Sequence, residues 1–123
     1  KVVNKLKKGE TTTEYPQALA SVFSLDLQPF MINWMQYNPS EIISELKIPV
    51  LIVNGTKDLQ VSEEEAQLLK DANEDSELKI IENMNHVFFG IKGDDLENSK
   101  SYNEAFRPIS TELVDAIVAF INA

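Results

Sequence analysis

The sequence has no cysteine and only one histidine, His86, among its 123 residues. Without cysteine, disulfides, thiolate catalysis and cysteine-based metal sites are excluded. A lone histidine likewise excludes a metal site built from several imidazoles. We therefore predict neither a metal ion nor a cofactor, and these absences leave the cellular compartment open.

Positive charge and long apolar runs are also scarce. The chain has 11 Lys and Arg against 20 Asp and Glu, a net charge of -9. Such a surface repels phosphate backbones and anionic lipids, so we expect no nucleic-acid or membrane-surface partner. No apolar run approaches the ~20 residues of a membrane span, and no signal peptide is visible. Because the chain opens on Lys1 rather than on methionine, we expect it to be a piece of a longer protein.

The N-terminal part of the chain predicts a series of short helices. Gly9 can close the first of them, and Ser40 can cap the last. Pro29 suits the first turn of the third, because proline is tolerated where the amide would be unpaired. The predicted helices cover residues 2–8, 16–23, a stretch from Pro29 onward, and residues 41–46.

Aromatic residues are crowded in this N-terminal part. Phe23, Phe30, Trp34 and Tyr37 fall within fifteen positions. Their clustering favours a core in which helices pack together. A lid over an apolar pocket is a second interpretation, and the two are compatible.

The rest of the chain alternates strand and helix patterns. Residues 50–53 are apolar throughout and rich in β-branched side chains, which is typical of a strand buried on both faces of a parallel sheet. Residues 78–81 form a second candidate strand. Between them, Ser62 and Glu65 form a capping box that starts a helix. The order strand, helix, strand, helix predicts an α/β fold with two parallel strands joined by a right-handed crossover.

The C-terminal region is predicted to hold one long loop and one helix. Residues 90–108 are polar and irregular in pattern, and their acidic residues favour a solvated loop over a calcium site. Ser110 can cap the final helix, on which Leu113, Ile117, Phe120 and Ile121 share a face.

Two polar residues follow the predicted strands at equal spacing. Asp58 lies five residues after Val53, and His86 lies five residues after Ile81. Parallel strands direct both loops to one edge of the sheet, where ligands bind in such folds. A carboxylate there can fix the tautomer of a histidine that acts as general base. The alternatives are a turn aspartate and a histidine satisfied by the backbone.

These loops carry a resemblance to a known family. Residues 48–58 (IPVLIVNGTKD) resemble the α/β-hydrolase segment that ends in the acid of the catalytic triad. Residues 82–87 (ENMNHV) resemble the loop that delivers the triad histidine. Residues 27–39 are similar to a helical cap in bacterial esterases and serine aminopeptidase-like hydrolases. Together these segments extend the resemblance over nearly the whole chain.

The resemblance implies a fold, a division of the chain and a reaction. The chain would be the C-terminal part of an α/β-hydrolase, with a helical cap segment in residues 1–46 and the α/β portion in residues 47–123. Its parent would cleave an ester or amide, with Asp58 orienting the general base His86.

The sequence departs from the family in what is missing. The family nucleophile sits in G-x-S-x-G, upstream of the acid and the histidine. None of the four glycines flanks a serine in that pattern. We therefore expect the serine and the oxyanion hole to lie outside this chain, which alone should be inactive. In addition, relatives often carry glycine where this chain has Asn83.

A non-catalytic role is the alternative. The first strand would lack a neighbour on one side, and an unpaired strand edge is an association site. On this hypothesis the chain is an interaction module or pseudo-enzyme fragment that self-associates through its exposed strand edge. Neither Ser62 nor Met84 is predicted to act in catalysis, because Ser62 is expected to cap a helix and Met84 to pack in the core.

Overall fold

A computed structural model describes every residue from Lys1 to Ala123. The chain divides into two compact units, residues 1–42 and residues 43–123. The predicted cap segment, residues 1–46, extends a few residues beyond the first unit. No helix in the structure is both long enough and apolar enough to cross a membrane.

The first unit is built from short helices. Gly9 follows the first of them with a φ of +80°, the conformation expected of a closing glycine. Pro29 lies in the first turn of the third α-helix, as predicted. The elements are α1 (Val2–Leu6), a 3-10 helix (Gln17–Leu19), α2 (Ala20–Phe23) and α3 (Gln28–Trp34), and α4 (Pro39–Glu45) spans the boundary between the units.

A glutamine occupies the interior of the first unit. Gln28 is fully buried, together with Val2 and Leu6 of α1. Its side-chain oxygen accepts from the Thr12 amide at 2.7 Å, and its nitrogen donates to the carbonyls of Thr12 and Phe23 at 2.7 and 2.8 Å. Because all of these bonds are made, Gln28 ties the loop around Thr12 to α3 without leaving a buried polar atom unpaired.

The prediction of an aromatic core in this segment is wrong for three residues. Phe30, Trp34 and Tyr37 are more than 60% exposed. The rings of Phe30 and Trp34 instead stack on each other, with centroids 6.2 Å apart. Phe30 and Trp34 are exposed because they follow the buried Gln28 by two and six positions. At 3.6 residues per turn, this spacing places both on the opposite side of α3.

The second unit is a mixed α/β arrangement around two parallel strands, as predicted. Leu51 lies opposite Glu77, and Gly55 lies opposite Ile81. One apolar cluster, centred on Ile52, packs under the helix that connects the strands. The elements are β1 (Leu51–Gly55), α5 (Glu63–Ala72), β2 (Glu77–Ile81), α6 (Asp95–Ser101) and α7 (Thr111–Ile121).

The final helix buries less of its predicted apolar face than the pattern indicates. Ser110 caps α7 by accepting from the amide of Leu113, as predicted. Leu113 packs with Ile81 in a second apolar cluster. However, Ile117 is 40% exposed and Ile121 is 73% exposed, because one turn of α7 is all that this cluster covers.

The structure differs from the prediction at two helix caps, those of α5 and α4. Ser62 stands at the start of α5, but its side chain makes no bond to the helix amides. Its hydroxyl bonds the Glu64 carboxylate, which lowers the pKa of Glu64. At α4, Asn38 rather than Ser40 precedes the helix, and its side-chain oxygen accepts from the Ser40 amide at 3.1 Å.

The prediction of an irregular segment over residues 90–108 is wrong where α6 forms. Asp94 caps this helix by accepting from the Glu97 amide at 3.0 Å. Glu97 reaches back to the Gly93 amide at 2.7 Å and pairs with Arg107 at 2.9 Å. This reciprocal arrangement resembles a capping box, so these acidic residues begin a helix.

The histidine loop requires a left-handed backbone at two residues. Asn83 has a φ of +61°, which explains why glycine suits this position. Asparagine is one of the few other residues that adopt this conformation readily. Phe88, with a φ of +68°, is the second such residue, and for a bulky aromatic this conformation is uncommon.

The acid loop and the histidine loop touch where β1 ends. A Cβ atom placed on Gly55 would collide with the backbone carbonyl oxygen of Met84. Lys57 then donates its amide to that same carbonyl at 3.0 Å. Glycine is therefore required at position 55 by close approach of two backbones.

We expect Gly55→Ala to destabilise the chain by about 2 kcal/mol, because the backbone of the histidine loop must shift to admit the methyl group. Gly90→Ala is the matched control, since nothing lies within 4 Å of a Cβ there. Urea unfolding of both variants measures the difference. Equal stability of the two variants would contradict the close approach.

Candidate active site

The two predicted site loops leave the sheet at the carboxyl ends of β1 and β2, and they bond to each other. Thr56, just after β1, donates its amide to the carbonyl of Ile81 at 3.1 Å. Lys57 continues the contact through Met84, and Asp58 donates its amide back to Gly55 at 3.0 Å. The parallel pairing thus extends past the strands and turns Asp58 back toward the histidine loop.

Asp58 and His86 meet in a direct hydrogen bond. The Nδ1 atom of His86 lies 2.9 Å from the Oδ2 atom of Asp58. The carboxylate side chain is 8% exposed, whereas the imidazole is 40% exposed. Because an ionised carboxylate only accepts, the contact requires the proton on Nδ1. The second ring nitrogen, Nε2, makes no hydrogen bond within the chain and keeps its lone pair in the neutral ring.

The other oxygen of Asp58 is held by the backbone. Its Oδ1 accepts from the amides of Gln60 at 2.8 Å and Val61 at 2.9 Å. Burial of Asp58 raises its pKa, but the Val61 amide, the His86 side chain and the Gln60 amide together outweigh burial and lower the pKa below its usual value. The acid is therefore ionised at neutral pH and has a fixed orientation.

Asn85 shapes the turn that carries His86. Its side-chain oxygen accepts from the amides of Val87 at 3.2 Å and Phe89 at 2.9 Å. Phe88 donates its amide to the Asn85 carbonyl at 3.0 Å, which closes the turn around the imidazole. Asn85 belongs to residues 82–87, which resemble the histidine loop of the family, but the sequence did not indicate its role as the centre of this turn.

No serine of the chain completes the pair. Ser62 helps to line a cavity of about 500 Å³ that also contacts Asp58 and Gly55, but His86 is not among the residues that line it. No hydroxyl group bonds to His86. No group of three or more side chains able to ligate a metal gathers in the chain. The arrangement can orient and polarise an imidazole, and it lacks a nucleophile.

No known protein family matches the chain, and no curated protein matches it significantly. The assignment of chemistry to the pair consequently rests on geometry and on the residues themselves.

Asp58 should make the stability of the chain depend on pH in acid. Its folded-state pKa lies below the ordinary value of 3.8, so its carboxylate favours folding above that value. This contribution is lost as pH falls through the lower, folded-state pKa. We expect the wild type to lose more free energy of unfolding than Asp58→Asn between pH 5 and pH 2, as measured by urea titration. Parallel losses in the two proteins would contradict this.

Proposed function

We propose that this chain supplies the acid and the base of a Ser-His-Asp triad of the α/β-hydrolase type, which cleaves an ester or amide. The observation that carries the proposal is the bond of 2.9 Å between His86 Nδ1 and Asp58 Oδ2. The mixed α/β architecture and the position of both residues after parallel strands are compatible with it. The nucleophilic serine and the oxyanion hole are proposed to lie outside these 123 residues.

The geometry suits each step that the pair would perform. His86 Nε2, which has no partner in the chain, would take the proton from the serine hydroxyl as its oxygen attacks the substrate carbonyl. Asp58 would stabilise the imidazolium that forms, through the bond that it already makes. His86 would then donate the same proton to the leaving alcohol or amine. The acyl group would then remain on the serine. Water, activated by His86 in the same way, would hydrolyse this ester, which releases the carboxylic acid product and restores the serine.

The first unit is proposed as part of the cap of this hydrolase. Its α3 helix exposes the stacked rings of Phe30 and Trp34. Exposed aromatic surface of this kind suits contact with an apolar part of a substrate.

The proposal predicts that this chain alone does not hydrolyse p-nitrophenyl esters, since a triad without its nucleophile loses most of its rate. A longer protein read from the gene upstream of Lys1 should hydrolyse them. In that protein, we expect His86→Ala and Asp58→Asn each to lower kcat by roughly 10⁴-fold or more. Steady-state ester hydrolysis measures both effects.

Asp75→Asn is the control, because Asp75 is an exposed acid that precedes β2, whereas the histidine loop follows the other end of this strand. It should leave hydrolysis unchanged. Fluorophosphonate labelling of a serine within residues 1–123, or full activity of His86→Ala, would overturn the proposal.

Self-association is a second candidate function, favoured by the open edge of β1. The ladder bonds join Glu77 to Val50 and Thr56 to Ile81. Residues with odd numbers in β1, such as Leu51 and Val53, therefore direct their backbone groups to the edge that has no neighbouring strand. Such an edge pairs readily with a second copy of the same chain.

The final helix adds apolar surface in the same unit. Four residues at helical spacing on α7 are between 40% and 73% exposed. Spacing of this type forms one continuous stripe along a helix. The residues of this stripe are Val114, Ile117, Val118 and Ile121.

If the stripe and the strand edge hold two copies together, the wild type should elute as a dimer at micromolar concentration. The double variant Val118→Glu, Ile121→Glu should then be monomeric, because charge at the interface is costly to bury. Leu96→Glu, on the exposed side of α6, is the control and should remain dimeric. Light scattering coupled to size-exclusion chromatography decides, and a monomeric wild type would contradict self-association.

A further inference from the structure

A buried polar cluster lies behind the two catalytic loops. Asn85, Asn98 and Ser101 are at most 1% exposed. Burial of polar groups is costly unless hydrogen bonds replace those to water. The bonds that this cluster makes therefore indicate which parts of the chain it holds in place.

Asn98, on α6, bonds to both loops at once. Its Nδ2 atom donates to the carbonyl of Lys57 at 2.6 Å. Its Oδ1 atom accepts from the side chain of Asn85 at 2.9 Å. Lys57 directly precedes Asp58, and Asn85 directly precedes His86. One amide group thus links the neighbour of the acid to the neighbour of the base.

The orientation of these amides follows from their partners. The side-chain oxygen of Asn85 faces two backbone amides, so its nitrogen must face Asn98 and Ser101. The hydroxyl of Ser101 accepts from Asn85 at 2.9 Å and donates to the Asn98 carbonyl at 2.6 Å. Only one orientation of each side chain in the cluster makes all of these hydrogen bonds.

The helix that carries Asn98 is itself anchored. Asp94 and Glu97 close its first turn, and Arg107 bonds to Glu97 and to the carbonyl of Gly90, both at 2.9 Å. The ammonium group of Lys57 bonds to the Gly93 carbonyl at 3.1 Å. Because α6 is held at both the acid loop and the segment after His86, Asn98 has little freedom to follow either loop alone.

We propose that Asn98 is a positioning residue, which holds Asp58 and His86 at hydrogen-bonding distance through the residues that precede them. The inference rests on the proposed function, because that function gives the distance between the two side chains its importance. Asn98 touches neither side chain and acts only through Lys57 and Asn85. The direct backbone bonds between the loops remain without this bridge, but the segments beyond them that carry Asp58 and His86 should loosen and free the imidazole to exchange its tautomers.

The tautomer of His86 can be read without any activity. His86 is the only histidine, so the ¹⁵N spectrum of the chain contains a single pair of imidazole signals. At pH 8 and 10 °C, the wild type should show distinct signals for a protonated Nδ1 and an unprotonated Nε2. In Asp58→Asn and in Asn98→Ala, we expect the two signals to move toward each other, as in a free ring that exchanges tautomers.

Asn73→Ala is the matched control for simple loss of stability. Asn73 is also buried and also donates to a backbone carbonyl, that of Ile43 at 2.8 Å, but it has no bond to either site loop. It should lower stability and retain the wild-type signals. If Asn98→Ala does not fold, the milder Asn98→Ser decides by the same spectrum.

The outcomes separate this inference from the proposed function. Wild-type signals retained in a folded Asn98 variant would overturn the positioning role and leave the proposed triad intact. Averaged signals already present in the wild type would overturn both. A longer protein that is inactive, with tautomer exchange still triggered by Asn98→Ala, would remove the hydrolase function and leave the bridge between the loops.

In a longer protein that does hydrolyse esters, Asn98→Ala should lower kcat by roughly 100-fold and leave KM nearly unchanged, because displacement of a catalytic group by about 1 Å has such an effect. An equal loss of activity in Asn73→Ala would assign the effect to stability.

Discussion

The close passage of the two loops beyond the ends of β1 and β2 is the constraint on which the site depends. The carbonyl of Met84 accepts from the Lys57 amide and lies where a Cβ of residue 55 would be. Only a chain with glycine at this point can bring the acid loop so near the histidine loop. The bond between Asp58 and His86 follows from this approach, because Asp58 lies three residues beyond Gly55 and His86 lies two residues beyond Met84.

Asp58 and His86 differ in their burial and in their hydrogen bonds. Asp58 is nearly enclosed, and three hydrogen bonds hold its carboxylate in the ionised form with a lowered pKa. His86 is far more exposed, with one nitrogen engaged and the other unpaired. A fixed anion behind a half-exposed imidazole is compatible with the proposed role of His86 as general base. The cluster around Asn98 lies behind this pair, where it is sealed from water.

The sequence predicted the parts of this fold that depend on local pattern. The apolar run at residues 50–53 and the crossover order indicated a parallel pair, and that placed Asp58 and His86 at one edge. The resemblance noted glycine at the position of Asn83, and the structure gives the reason in its positive φ. Long-range polar contacts were not predicted, because nothing in a single sequence shows that Gln28 or Asn98 is buried. Helix α6 was missed since Asp94 and Glu97 have the composition of an acidic loop while they act as a cap.

The proposed role of the pair is tested most directly by a crystal structure of the longer protein, with a phosphonate bound to its nucleophile. We expect a serine oxygen within about 3 Å of His86 Nε2, with the bond from Nδ1 to Asp58 retained. A nucleophile more than about 5 Å from that nitrogen, or one paired with a different base, would contradict it.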